Sequence, residues 1–354
     1  MFRNPATELT KRGHEVTFAV KAKDILGELL VGEKIEQVSM SDTGRSAGVV
    51  PMVRNLGERE FALFRLLWGR RFDLIVGTEP SIAHMGSLFR IPSLITTEDD
   101  LTVIPLLAKI TFPFTNGILA PESCELGKWN RKKIAYKGYQ KLTYLHPRRF
   151  TPDRNKVLSL IKDDRPYFML RFSALHAHHD AGVHGFSDEL VREVVKRLST
   201  KGDVYISSER PIPSDLEPYR LHIPVSDIHH ALAFTDLFVS DSQSMTVEAA
   251  LLGTPSIRFS DFSGRIGVLE ELEHRFGLTY GFSTDNRDGL LRKMEELISR
   301  HDIKEEFSMR KHSMLNIKID VSEFWVWLFE NYPMSVGVMA EQPDLQSKFL
   351  YPGN

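Results

Sequence analysis

The sequence predicts an α/β protein built from two doubly wound parallel-sheet domains. Three observations point there. Short apolar runs of strand length alternate with amphipathic helix patterns along most of the 354 residues, and the alternation occurs in both halves. A stretch rich in proline and charge, YLHPRRFTPDRNK at 144–156, separates those halves. A chain of this length can bury two cores of ordinary size. The domains are expected at 1–150 and 151–320, with 321–354 as a closing helix and tail.

In the first half the strand candidates are EVTFAV (15–20), KIEQVSM (34–40), FDLIVG (72–77), PSLITT (92–97), GILA (117–120) and KIAYKG (133–138). PMVRNLGEREFALFRLLWGR and SIAHMGSLFR have helix character between them. In the second half PYFMLRF (166–172), DVYISS (203–208), DLFVS (236–240), PSIRF (255–259) and LTYGF (278–282) read as strands. The clearest helix is DELVREVVKRLS, whose Leu190, Val191, Val194, Val195 and Leu198 share one stripe. VSEFWVWLFENY (321–332) carries two tryptophans and two phenylalanines, so it needs a broad apolar surface, for which the first domain is the candidate. Only about a dozen residues precede Val16, whereas related folds begin with a strand and a tight turn ahead of the helix before KRGHEV. By that resemblance a first strand is expected to be missing, leaving an exposed sheet edge. Two such domains would face each other across a cleft lined by the carboxyl ends of both sheets, where ligands of open α/β sheets bind.

Composition narrows the function classes. With 42% hydrophobic and 26% charged residues the chain is of soluble globular type. A formal charge of −2 gives no overall attraction to nucleic acid, so any anion site must be local. Cys124 is the single cysteine, which excludes an internal disulfide and fits a reducing compartment. The start has no apolar stretch of signal type, and no run approaches the roughly 20 apolar residues of a membrane span. The expected location is cytoplasmic.

SDSQSMTVEAALLGTP (240–255) is the most informative stretch. It follows a buried-type strand and opens a helix that Gly253 and Pro255 close. Ser240, Asp241, Ser242, Gln243 and Ser244 thus surround a helix amino terminus, where free N–H groups and the macrodipole favour an anion. One serine would suffice as an N-cap, and Ser244 is the expected one. Five polar residues in a row point to a ligand site as well. Glu248 is not part of a capping box, because residue 245 is methionine.

Other clusters carry competing readings. After PYFMLRF the loop RFSALHAHHD offers Arg171, His176, His178, His179 and Asp180 as anion donors, as partners of the loop backbone, or as metal ligands. The separated partners of a strong zinc motif are lacking, and no metal site is expected. Glu98, Asp99 and Asp100 stand together after PSLITT, and Glu79 follows Thr78 after FDLIVG. Carboxylates at strand ends suit acid/base work, while EDD would equally suit the start of a helix. GKWNRKKIAYKGYQKLTYLHPRR (127–149) has eight lysines and arginines and no acid. It reads as a solvated strand edge and linker, or as a face for an anionic acceptor or peripheral membrane contact.

The 240–255 stretch resembles the nucleotide-binding signature in the second domain of GT-B-fold proteins, the group of UDP-N-acetylglucosamine 2-epimerases and MurG-type glycosyltransferases. Closer still, LRFSALHAHHDAGVHG, VYISSERPIP, DIHHALAFTDLFVSDSQSMTVEAALLGTPSIR and GVLEELEHRFGL are similar to a domain-of-unknown-function family with this fold, over about residues 8–300. The resemblance implies two Rossmann-like domains, a diphosphate near Ser242, Gln243, Ser244 and Met245, and a ribose against Glu248. It implies a phosphate-approaching histidine within RFSALHAHHD, with His178 also a candidate base, and it adds Ser208 and Glu209 of VYISSERPIP to the nucleotide site. DLIVGTEPSIAHMGSLFRIPSLITTEDD is similar to the epimerase stretch that carries acid/base carboxylates. There the first carboxylate falls on Thr78, with Glu79 beside it, and the second near Glu98, Asp99 and Asp100. Anti elimination needs an acid and a base on opposite faces of the sugar, so the loss at Thr78 weakens an epimerase reading.

The expected function is therefore a nucleotide-sugar-dependent glycosyltransferase-like protein. It would use a UDP-sugar or similar donor as substrate, an unknown acceptor and no cofactor. The alternatives are a hydrolysing UDP-N-acetylglucosamine 2-epimerase-like isomerase and a non-catalytic nucleotide-sugar-binding protein.

Overall fold

The structure, a computed structural model, describes residues 1–20, 35–40, 49–160, 165–173 and 185–351. It divides into two compact units. Unit 1 joins Met1–Tyr144 to Lys318–Tyr351, and unit 2 is Leu145–Ile317 among the described residues. Each of the eleven strand-like runs of the sequence contains a strand.

Unit 1 begins with a helix, α1 (Arg3–Lys11), followed by β1 (Thr17–Val20) and β2 (Glu36–Ser39). These two strands pair in parallel as a sheet of their own. Then come α2 (Val49–Leu67), β3 (Ile75–Gly77), α3 (Pro80–Phe89), β4 (Ser93–Thr96), α4 (Pro105–Thr111), β5 (Gly117–Pro121), β6 (Lys133–Tyr136) and the short α5 (Leu142–Leu145). The four strands β3 to β6 form a second parallel sheet in sequence order. Strands β4 and β5 are buried at every position, which explains why neither shows the alternation of a half-exposed strand in the sequence.

Unit 2 contains β7 (Tyr167–Phe172), α6 (Asp188–Ser199), β8 (Asp203–Ser208), α7 (Ile228–Phe234), β9 (Leu237–Ser240), α8 (Gln243–Leu252), β10 (Ser256–Phe259), α9 (Gly267–Glu270), β11 (Tyr280–Phe282), α10 (Arg287–Ile298) and α11 (Ile303–Leu315). All five strands are parallel, in the order β8-β7-β9-β10-β11. The chain thus leaves β7 toward one side for β8 and returns to its other side for β9. The gap between the carboxyl ends of β7 and β9 is a topological switch point. Helix α6 shows how the sequence sets such elements. Ser187 accepts the Leu190 N–H at 3.2 Å as N-cap, Asp188 and Glu189 occupy the first turn, and Lys196 and Arg197 the last. Each charge opposes the nearer end of the helix dipole, and the predicted apolar stripe is buried on the sheet.

Past α11 the chain returns to unit 1 as α12 (Val321–Glu330) and α13 (Met334–Glu341). Trp325 is fully buried there, 5.5 Å from the ring of Phe2 and 6.2 Å from that of Tyr136. No helix among the described residues is long and apolar enough to cross a membrane.

Candidate functional site

The polar stretch of 240–248 lies where a switch-point ligand would sit, at the carboxyl edge of the unit 2 sheet. Strand β9 ends at Ser240, in register with Arg171 on β7 and Arg258 on β10. The Ser240 Oγ accepts the Ser242 N–H at 2.7 Å and so tightens the turn into α8. Ser242, not Ser244, is the N-cap: its backbone is extended and its Oγ accepts the Met245 N–H at 3.4 Å. The expectation for Ser244 is corrected because the Ser240 hydroxyl closes the turn two residues early. Ser244 stands exposed within the first turn instead. No described residue takes the N–H of Gln243 or Ser244. Among the described residues, then, two of the orphan donors of this helix amino terminus have no partner.

The side chains of the turn divide between the open sheet edge and the core. Asp241 is buried, and its Oδ1 accepts the Ser173 N–H at 2.7 Å, tying the end of β9 to the end of β7. Burial raises its carboxyl above the usual aspartate range, against the pull of the Ser173 N–H. A Cβ at Gly185 would come 2.6 Å from Asp241 Oδ2, so glycine is required at that approach. Gln243 turns inward. Its amide donates to Ser260 Oγ at 3.0 Å, and its carbonyl accepts from Nη1 of Arg258 at 2.9 Å. Arg258 is wholly buried on β10, with Nη2 at 3.5 Å from Glu270. Met245 packs into the core beneath the helix. Of the five positions 241–245, then, Ser244 presents its side chain outward, and Gln243 and Ser244 offer backbone donors.

Glu248 lies one and a half turns into α8. Its side chain is 12% exposed and meets Nε2 of His229, on α7, at 3.4 Å. His229 was not among the residues expected from sequence. Its only sequence signal was its place in the DIHHALAF run, which does not reveal which of the two histidines turns toward Glu248.

On the other side of the switch point Arg171 donates through Nη1 to Ser207 Oγ at 2.7 Å and pairs with Glu209 through Nη2. Ser208 is occupied locally: its Oγ donates to the Arg210 carbonyl at 2.7 Å and accepts the Arg210 N–H at 3.2 Å. His176, His178, His179 and Asp180 lie outside the described residues.

In unit 1 the carboxylates after β4 make up a loop, and α4 begins only at Pro105, so EDD is not a helix start. Glu98 is buried, accepts the Gln140 N–H and pairs with Lys141. Asp100 is also buried and accepts the Glu125 N–H at 2.6 Å, while Asp99 is half-buried. The Cys124 thiol donates to the Glu98 carbonyl at 3.1 Å, and burial beside these acids pushes it well up. Glu79 precedes α3 and pairs with Arg59 at 2.9 Å, without capping the helix. Half of the basic residues of the 127–149 stretch are used inside the unit. Lys132 donates to the carbonyls of Phe112, Pro113 and Thr115, and Lys133 to those of Glu122 and Cys124. Lys137 pairs with Asp344, and Lys141 with Glu98.

Comparison with solved structures places this architecture. UDP-GlcNAc 2-epimerase from Neisseria meningitidis bound to UDP-GlcNAc matches 93% of the chain and 96% of its own, with TM-score 0.60 and 14% identity. S. aureus MnaA, in a co-structure with UDP, matches 86% of each chain with TM-score 0.62 and 13% identity. MurG of Acinetobacter baumannii matches 93% of this chain and 94% of its own, with TM-score 0.55 and 12% identity. The fold is GT-B-like, with two Rossmann-like units. No protein-family model matches the chain, and a search of curated proteins found no relative.

Proposed function

We propose that the chain is a nucleotide-sugar-dependent glycosyltransferase-like protein that holds a UDP-sugar or similar donor at the carboxyl edge of the unit 2 sheet. The observation that carries this reading is the opening of α8 at the switch point. The N–H groups of Gln243 and Ser244 are open to a diphosphate, and Glu248 stands farther along the same helix to accept ribose hydroxyls. Five residues separate Gln243 from Glu248, about 7.5 Å along the axis, so one helix can serve both parts of a nucleotide. The GT-B-like neighbours that carry UDP or UDP-GlcNAc support the choice of donor.

A transferase needs fewer free acids in unit 1 than a hydrolysing epimerase does. Glu98 and Asp100 are engaged by Lys141, Gln140 and Glu125, which favours a reaction resting on positioning and diphosphate stabilisation. Asp99 and Glu79, the latter paired with Arg59, are the other carboxylate candidates there, and His178 is the candidate base of unit 2. The acceptor would be held by unit 1.

The test is a melting assay of the full chain against a panel of nucleotide diphosphate sugars, with release of nucleotide measured with and without acceptors. A donor at a hundredfold excess over its Kd stabilises by about 2.7 kcal/mol. Glu248→Gln should melt near wild type without ligand and bind the donor more weakly by roughly 1.5–3 kcal/mol, the range for hydrogen bonds to a charged group. Acceptor-dependent release identifies a transferase, and free nucleotide with an epimerised sugar identifies an epimerase. If no nucleotide diphosphate in the panel shifts the melting temperature, the reading fails.

A further inference from the structure

One charged side chain lies wholly inside unit 2, against the opening of α8. Arg258, on β10, stands in register with Ser240 on β9 and Gly281 on β11, and its side chain is 0% exposed. Burial pulls its pKa down, and Glu273 and Glu270 oppose that pull. An arginine has five N–H donors in a planar fork and no acceptor. Here Nη1 donates to Oε1 of Gln243 at 2.9 Å, Nη2 reaches Oε1 of Glu270 at 3.5 Å, and Nε has no partner among the described residues. Glu270 also accepts the Gly264 N–H at 3.0 Å, and Glu273 accepts that of Gly281 at 2.9 Å. A Cβ at Gly281 would come 2.5 Å from Ser263 Oγ, 2.8 Å from Glu273 Oε2 and 3.0 Å from Arg258 Nη2, so glycine lets these groups converge. With two carboxylates at hand, a guanidinium placed for stability alone would take one of them as a two-pronged pair. Its shorter hydrogen bond goes instead to a neutral amide, on the first residue of α8.

Because arginine only donates, the Gln243 carbonyl must face it, and the amide nitrogen must face Ser260 Oγ, at 3.0 Å. The side chain is thus gripped by the strand on one side and by the loop after β10 on the other. We propose that Arg258 is a positioning residue for the donor diphosphate: by gripping Gln243 from within the sheet, it fixes the first turn of α8, whose Gln243 and Ser244 N–H groups meet the phosphates. This rests on the assignment of that turn to a diphosphate. A role through charge alone is opposed by Glu270, whose carboxylate lies 3.5 Å from Nη2 and offsets the guanidinium at any longer distance. The hydrogen bond to Gln243 has no such counterweight. Donors held in place before the ligand arrives need no ordering when it binds. A turn released from Arg258 has to be ordered by the ligand, and affinity falls.

The experiment is calorimetric titration of the full chain with UDP-N-acetylglucosamine, in wild type, Arg258→Lys, Gln243→Met and the double variant. Arg258→Lys keeps the charge but loses the fork. Its ammonium goes to Glu270, the stronger partner, and leaves Gln243 unheld. Gln243→Met keeps the length of the side chain and removes the acceptor. Each single variant should bind about tenfold more weakly, the effect of losing one hydrogen bond to a charged group. The double variant should also be about tenfold weaker, because both changes break the same grip, whereas two separate effects would multiply to about a hundredfold. A merely structural role for Arg258 lowers the ligand-free melting temperature without producing that coupling. Wild-type affinity in either single variant, or a double variant near the product, overturns the proposal while leaving the donor reading intact. If Arg258→Lys does not fold, Gln243→Met decides alone: weaker binding supports the grip, and wild-type binding overturns it. If wild type binds neither this probe nor any sugar nucleotide of the panel, the donor reading falls and this inference falls with it.

Discussion

Asp241 shows how much one side chain of the candidate site owes to its surroundings. In the sequence it is one polar residue of five, but in the fold it is a buried carboxyl joining two strand ends. Its pKa is raised, with burial the leading cause. A raised carboxyl pKa means that the folded state holds the proton more tightly than the unfolded chain does. Its contribution to stability is thus complete below the ordinary aspartate range, near 3.9, and is lost as pH rises through the folded value. Asp241→Asn keeps an acceptor for the Ser173 N–H and removes the ionisation. Relative to wild type, the variant should gain stability as pH rises above the ordinary aspartate range, read as a melting difference that grows with pH from there. A constant difference would show that Asp241 does not titrate in the fold. Gln243 and Met245 teach the same lesson: the resemblance put a diphosphate near both, and their side chains go to Arg258, Ser260 and the core.

Helix α8 is the element whose limits the sequence nearly specified. Its carboxyl end was legible because Gly253 and Pro255 are strong stop signals. Gly253 adopts φ +76°, its N–H reaches the Ala250 carbonyl at 3.0 Å, and the Thr254 N–H reaches that of Ala249 at 2.9 Å. These are the paired bonds of a Schellman cap. A side chain at 253 would be strained by the left-handed backbone and would meet Lys311 Cδ at 3.1 Å. Gly253→Ala should therefore destabilise by about 1–2 kcal/mol, lowering the urea midpoint of unit 2 with an unchanged m-value. The amino end was less legible, since three serines competed for the cap. The choice fell to Ser242 because Ser240, held on a buried strand, reaches its N–H. That strand position is a tertiary fact.

On the scale of the whole molecule, the closing segment is the least local feature. Helix α12 belongs to unit 1 although unit 2 intervenes in sequence, and Ser322 Oγ donates to the Thr143 carbonyl at 2.9 Å across that separation. Two tryptophans and two phenylalanines announced a need for burial, and Phe2 and Tyr136 are part of what meets it. Trp325→Ala should cost unit 1 about 3–5 kcal/mol, as expected for removing a fully buried indole. Hydrogen exchange at the β5 and β6 amides should speed up accordingly, and unchanged protection there would contradict the packing role of α12. The chain opens with α1 and its first strand is β1, which pairs with β2 alone among the described residues.

The sequence by itself determined the α/β class, the eleven strand positions and the polar opening of α8. Each of these follows from signals that act within a few residues: apolar run length, helical periodicity, and glycine, proline and serine at chain turns. The tertiary structure decided which polar residues turn inward and which stay at the sheet edge. Asp100 against Glu125, Gln243 against Arg258 and Glu248 against His229 are partners 15 to 25 residues apart. Glu98 and Lys141 are 43 apart. A polar side chain turns inward when the fold supplies a matching donor or acceptor, because burying it unpaired costs more than the hydrogen bond returns. Those partners are set by how parallel strands place distant loops at one sheet edge, and spacing along the chain does not encode that placement.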